Sequence, residues 1–458
     1  MWIVVLSSTL PWLAGGIALN LIYAIGSQKV RNPALLYGVG GLLGTIGMAL
    51  VTIAATWIGV NLISLWAIVA LGLVCVSGAA GLYKLRPTPE AAPRAPAREW
   101  GFTLLISLAL VILFAGINAW QVLWMPAVGW DTLWSWAEIS KSFINTTQAD
   151  PTPAWVHDQT HPSTVAVIAA SATAYIPTSG GVGPVYFSWW LVWLSVLLII
   201  FGYTDAVTKN INASALATVV SASIPLMTNH VILGGYAELF LAAATVGATA
   251  TLVLSLKEQD EKLALLGLLV ALSCATLKNT GFVFSSCIFI GYTTCLAISR
   301  GFGKWVILFA TVMGVSGALF ILTLPSQSMT FEMGNRQLIL ELGNAHLIPR
   351  NELISLFYNS SFSIIALLLL APVITFGAPD WKRSDKEVSS FFMPWLTSVI
   401  ILGMLCASQL TDYGFLYATP TNDTGNSRFS LPFVVCALLV IGPLWNAIVN
   451  HDRKVATQ

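Results

Sequence analysis

The stretch GFTLLISLALVILFAGINAWQVLW, Gly101 to Trp124, runs 24 residues without a charged side chain. A helix of that length spans the roughly 30 Å of hydrocarbon in a bilayer. Comparable apolar runs occupy residues 2–24, 34–58, 60–83, 184–203, 212–229, 235–256, 261–277, 279–298, 303–323, 360–379, 391–410 and 429–449. Of the 458 residues, 56% are hydrophobic and only 9% are charged, where a soluble domain carries about 25% charged residues. A water-soluble fold is therefore excluded, and the expected class is an all-α integral membrane protein with about 13 transmembrane helices. Ser163 to Ile176 is apolar but too short to cross. It is expected as a short re-entrant or juxtamembrane helix after the first large loop.

The distribution of basic residues orients these spans. If the helix before His451-Asp452-Arg453-Lys454 ends inside, alternation places 16 of the 21 Lys and Arg residues on the inner side. Lys141, Lys278, Arg336, Arg350 and Arg428 fall outside. Acidic residues divide evenly, as a rule that concerns only Lys and Arg requires. Three outer loops result, at 125–162, 325–359 and 411–427. The longest inner connection, 85–100, is rich in Pro, Ala and Arg and reads as a cytoplasmic linker. It separates a three-helix N-terminal membrane segment, 1–84, from a transmembrane module over 101–458. The first apolar run has no basic leader and no convincing small-residue cleavage site, so it is expected as a retained helix.

The net charge of +1 gives no sign of nucleic-acid binding. All six cysteines lie within apolar runs without a Cys-x-x-Cys pair, and read as small buried residues. Chemistry is expected on the outer face.

The loop after Trp124 reads Gly129-Trp130-Asp131-Thr132-Leu133-Trp134. A carboxylate among indoles has its basicity raised by apolar surroundings, which suits Asp131 as a general base, while Trp130 and Trp134 offer faces for a sugar or lipid. The plainer reading is an interfacial aromatic belt with a solvated Asp. Glu238 follows Gly234-Gly235-Tyr236-Ala237 at a helix start. Interaction with the helix dipole alone would account for it, yet an ionisable group at the edge of a membrane helix is also a functional candidate. Asp131 and Glu238 are expected to converge on one cavity. Lys278, in the turn Lys278-Asn279-Thr280-Gly281, is a snorkelling cation or part of an anion site. With Arg336, Arg350 and Arg428 it would surround a phosphate.

His157-Asp158-Gln159-Thr160-His161 has the two-histidine spacing of a zinc helix. Pro151, Pro153 and Pro162 argue for a loop instead, and no metal ligands are assigned. No cofactor is called for. The question of a divalent ion stays open, because the spacing of Glu332, Glu341 and His346 specifies nothing.

Taken in order, these residues resemble the type C (GT-C) superfamily of multi-spanning glycosyltransferases, over about Arg98 to Leu444. The resemblance rests on Trp130-Asp131, His161-Pro162, Gly235-Tyr236-Ala237-Glu238, Lys278-Asn279-Thr280-Gly281 and Ser427-Arg428-Phe429 before a helix beginning Leu431-Pro432. It implies a polyprenyl-phosphate-linked sugar as donor and Asp131 as catalytic base or orienting acid. Glu238 would be a second acid, and Lys278 and Asn279 would match a Lys-Asn motif. The family often carries Asp at the position of Glu238 and Glu at that of Thr280. Trp189-Trp190 is followed by Leu191, so the Trp-Trp-Asp signature of oligosaccharide transferases is missing.

The expected activity is transfer of a single sugar, with inversion, to an acceptor hydroxyl on the periplasmic or outer face. Asp131 and Glu238 are its catalytic candidates. Lys278, Arg336, Arg350 and Arg428 are the donor-phosphate candidates, and Trp130, Trp134, His161, Tyr236 and Asn279 the substrate-binding ones. The acceptor is a lipid, a glycan or a secreted protein such as a pilin, and the expected location is a bacterial inner membrane. The alternatives are a transporter or flippase of lipid-linked sugars, and a glycan ligase or polymerase.

Overall fold

A computed structural model describes residues 2–26, 32–57, 101–124, 127–128, 140, 164–173, 183–278, 280–299, 328–333, 336–341, 385–408 and 431–445. The chain divides into two compact units, Met1–Gly247 and Ala248–Gln458.

The first unit is helical. Helix α1 (Trp2–Gly26) and helix α2 (Pro33–Trp57) pack along a seam of glycines. A Cβ on Gly15 would stand 2.1 Å from the carbonyl oxygen of Gly40, so only glycine lets the two backbones approach this closely. Helix α3 (Phe102–Trp124) presents Phe102, Leu105, Ile112, Leu113 and Trp120 on its exposed surface. That is the composition of a lipid-facing helix. A short buried helix, α4 (Thr164–Thr173), packs on α2, within the segment expected to form a re-entrant or juxtamembrane helix.

Helix α5 (Phe187–Thr208), preceded by a 3-10 turn at Gly183–Tyr186, is the core of this unit. Trp189, Trp193, Ile199, Ile200 and Tyr203 on it are fully buried. The N-terminal segment is tied to it at two points along its length. Trp12 Nε1 donates to Ser195 Oγ at 2.7 Å, and Asn32 Nδ2 donates to Asp205 Oδ2 at 2.7 Å.

The run expected as one span over 212–229 is two helices, α6 (Ile211–Ala222) and α7 (Pro225–Ile232), bent by 57°. The cause is local. Pro225 has no N–H to continue the ladder, and it holds Ile224 in an extended conformation, φ −70° and ψ 116°. Asn210 starts α6 by accepting from the backbone N–H groups of Asn212 and Ala213.

Helix α8 (Glu238–Glu258) runs from the first unit into the second and is buried along nearly its whole length. Its small residues, such as Ala242 to Ala244, leave no polar stripe, as a helix surrounded by others requires. The second unit continues with α9 (Glu261–Leu277), α10 (Gly281–Ser299), α11 (Asp385–Ser408) and α12 (Leu431–Leu438). Asp260 opens α9 by accepting from the N–H groups of Lys262 and Leu263. Cys436 Sγ lies 3.7 Å from Thr249 Oγ1 and 3.8 Å from the Pro394 carbonyl oxygen. It behaves as the buried small residue the sequence suggests.

Five described helices, α1, α2, α3, α5 and α8, are long and apolar enough to cross a membrane, and the bent α6–α7 pair makes six if counted as one span. The chain is an integral membrane protein. The runs at 60–83, 303–323 and 360–379 lie outside the described residues.

Two small pairs of strands accompany the helices. Strands β1 (Ala127–Val128) and β2 (Leu233–Gly234) pair in parallel. Strands β3 (Ser328–Met333) and β4 (Arg336–Glu341) pair antiparallel, with Met333 in register with Arg336, inside what the sequence presents as an outer loop.

Candidate functional site

The short parallel pair organises one corner of the first unit. Ala127 is in register with Leu233, and Val128 with Gly234. The chain leaving α3 toward Asp131 is thereby held beside the chain leaving α7 toward Glu238.

Each glycine of Gly234-Gly235 has a separate physical role. A Cβ on Gly234 would stand 2.3 Å from Tyr186 Cβ and 2.4 Å from its Cγ. Gly235 adopts φ 100°, which L side chains rarely accept. Together they let the strand pass against Tyr186 and then turn into α8.

Tyr236 is held at the bottom of that turn. Its carbonyl oxygen accepts a 2.7 Å hydrogen bond from Trp189 Nε1. The Trp189 ring stands edge-on to Tyr186, with centroids 5.1 Å apart, and to Phe240, 5.0 Å apart. These are favourable aromatic geometries. His230 packs edge-on to Tyr236 at 6.2 Å, and its Nδ1 lies 2.8 Å from the Leu226 carbonyl oxygen. A carbonyl only accepts, so Nδ1 carries the proton in that contact.

Glu238 begins α8 with only 2% of its surface exposed. A carboxylate at that depth is costly unless supported, and the amide N–H groups of the first helical turn supply part of the support. The corner thus gathers a buried carboxylate, a buried imidazole and two tyrosines within an aromatic frame.

The other sequence candidates fall as follows. Lys278 belongs to the second unit, where it ends α9 in an extended conformation and is buried to 7% exposure. Its carbonyl accepts from the N–H of Gly281 at 2.8 Å. A Cβ on Gly281 would stand 1.8 Å from the Cys274 carbonyl oxygen, which explains the glycine in Lys278-Asn279-Thr280-Gly281. Arg336 is the first residue of β4, in register with Met333. Asp131, Trp130, Trp134, His161, Asn279, Arg350 and Arg428 lie outside the described residues, as does the His157–His161 segment. Among the described residues no group of three His, Cys, Asp or Glu side chains is placed to hold a metal ion.

Tyr186, Trp189 and His230 are not among the candidates that the sequence offers. The signal for two of them was the aromatic cluster Tyr186-Phe187-Ser188-Trp189-Trp190 at a helix start. His230 gave none, because a lone histidine before two glycines has no spacing partner. In comparisons with protein-family models, curated proteins and solved structures, the chain matches none.

Proposed function

We propose that this protein is a membrane glycosyltransferase that moves a single sugar from a polyprenyl phosphate to an acceptor hydroxyl. The observation that carries the reading is the β1–β2 pair. It tethers the segment entering Trp130-Asp131 beside the segment entering Glu238, the two acids that the resemblance to type C glycosyltransferases assigns to the reaction. In this account the chain has thirteen spans, with the corner facing the periplasm of a bacterial inner membrane.

Asp131 takes or orients the acceptor hydroxyl proton while the oxygen attacks the anomeric carbon in line. The bond from that carbon to the phosphate oxygen breaks, and the phosphate leaves with the electron pair. Inversion at the anomeric carbon follows. The candidates for the donor phosphate are Lys278 and one or more of Arg336, Arg350 and Arg428, whose positive charge suits a departing phosphate. Glu238 lies buried at the start of α8, suited to accept hydrogen bonds from sugar hydroxyls, with Tyr236 beside it. Trp130 and Trp134 offer stacking faces to the sugar, and His161 and Asn279 complete the binding set. The acceptor is a lipid, a glycan or a secreted protein such as a pilin. Asp131→Asn is expected to abolish transfer while keeping lipid-linked sugar binding, and full turnover by that variant would sink the assignment.

One observation favours a second reading. The α6–α7 span is broken by 57° at Pro225, and interrupted helices line the binding sites of many transporters. On that reading the protein moves lipid-linked sugars across the bilayer without making a bond. Reconstituted vesicles that translocate labelled lipid and form no glycoside favour it over transfer.

A further inference from the structure

Helix α3 faces lipid with most of its large apolar side chains, yet it carries two amides in its last two turns. Asn118 is 1% exposed, and its Nδ2 donor has no hydrogen-bond partner. Gln121 Oε1 is likewise buried and without one. Positions 118 and 121 are three apart, so the two side chains share a helix face. One offers a donor and the other an acceptor, which is the complement of a single hydroxyl group.

Their depth is fixed by a neighbour. Trp190 Nε1 donates to the Ala115 carbonyl oxygen at 2.9 Å. At 1.5 Å rise per residue, Asn118 and Gln121 lie about 4.5 and 9 Å further along α3 toward β1. Helix α3 packs against the Gly183–Tyr186 turn and against α7, the elements that frame Tyr236, and β1, which follows this end of α3, pairs with β2, which follows α7. A helix bordering hydrocarbon would carry leucine at a purely structural position, since an unmade amide hydrogen bond is expensive there. Two complementary, unmet groups beside the candidate site therefore indicate a partner that arrives and leaves.

We propose that Asn118 and Gln121 form a hydroxyl-binding subsite for the sugar ring of the lipid-linked donor. Asn118 Nδ2 donates to a ring hydroxyl oxygen, and the hydrogen of that same hydroxyl is donated to Gln121 Oε1. The ligand class is a polyhydroxylated ring, and its identification as the donor sugar rests on the transferase reading above.

The test uses full-length protein in lipid nanodiscs. It measures binding of a panel of polyprenyl-phosphate-linked monosaccharides beside sugar-free polyprenyl phosphate, for wild type, Asn118→Leu and Gln121→Met. Each substitution keeps size and removes the polar pair member, and thermal unfolding without ligand reports on folding. The expected result is about tenfold weaker binding of the sugar-bearing lipid for each variant, with sugar-free lipid bound as by wild type. Unchanged binding of both lipids overturns the subsite and assigns the amides to buried water. Equal weakening for both lipids makes the amides structural and overturns it as well. Asn118-dependent sugar binding by a wild-type protein that forms no glycoside keeps the subsite and removes the transferase. Glycoside formation by variants that bind like wild type does the reverse.

Discussion

Val128 and Gly234, 106 positions apart in the chain, are parallel partners in a strand pair two residues long. Such a pair contributes little stability by itself. Its consequence is positional, because it fixes where the chain enters the Trp130-Asp131 segment relative to the turn that leads to Glu238. A rigid pairing would hold the corner in place, and the glycine within it supplies a test.

Gly234→Ala places a methyl group 2.3 Å from Tyr186 Cβ. The strand or the 3-10 turn must shift, at a cost of about 1–3 kcal/mol. The expected outcome is a lowered thermal midpoint together with loss of transfer activity. A variant with wild-type stability and turnover would show that the corner tolerates displacement.

Trp189→Phe keeps the ring contacts with Tyr186 and Phe240 but removes the donor to the Tyr236 carbonyl. The buried acceptor loses its partner, a destabilisation of about 1–3 kcal/mol. Because Tyr236 and Glu238 follow one another into α8, kcat is expected to fall more than KM rises. Steady-state kinetics with a donor lipid would separate the two.

Gly15→Val is expected to destabilise the protein strongly, since the Gly40 carbonyl oxygen lies 2.1 Å from its Cβ position. Gly47→Ala on α2 meets nothing within 4 Å and is expected to raise stability by up to about 1 kcal/mol through helix propensity. Paired thermal unfolding in detergent checks both signs. Equal effects would mean that α1 and α2 do not meet along this seam.

Much of this fold was legible in the sequence for a simple reason. Uninterrupted apolar runs such as Phe102 to Trp124 have one stable outcome in hydrocarbon, a helix that satisfies its own backbone. The break before Pro225 was also written there, but hydropathy alone reads straight through a proline flanked by Ile224 and Leu226. The hairpin of β3 and β4 shows the opposite error. Met329, Phe331 and Met333 alternate with polar residues ahead of Gly334-Asn335, a strand period within a segment read as loop. The pairing of Val128 with Gly234 had no local signal, because two residues cannot establish a period. Of the candidate site, Tyr236 and Glu238 were visible through the two glycines before them. Asn118 and Gln121 were not, since a polar residue in an apolar helix declares its role only through what its neighbours leave unmet.

The proposed thirteen-span arrangement makes a direct prediction for accessibility. Thr160→Cys is expected to react with a membrane-impermeant maleimide from outside intact cells, and Ala92→Cys only after permeabilisation. The reverse pattern would invert the orientation derived from the basic residues, and would move the candidate site to the other face.

Transfer chemistry is decided by the product that forms. Purified wild type and Asp131→Asn are given a panel of radiolabelled polyprenyl-phosphate sugars and candidate acceptors, with and without chelator. The account predicts glycoside product from wild type alone, with donor binding retained in the variant. Full product from Asp131→Asn, or donor lipid bound and translocated by wild type with no glycoside formed, would contradict it.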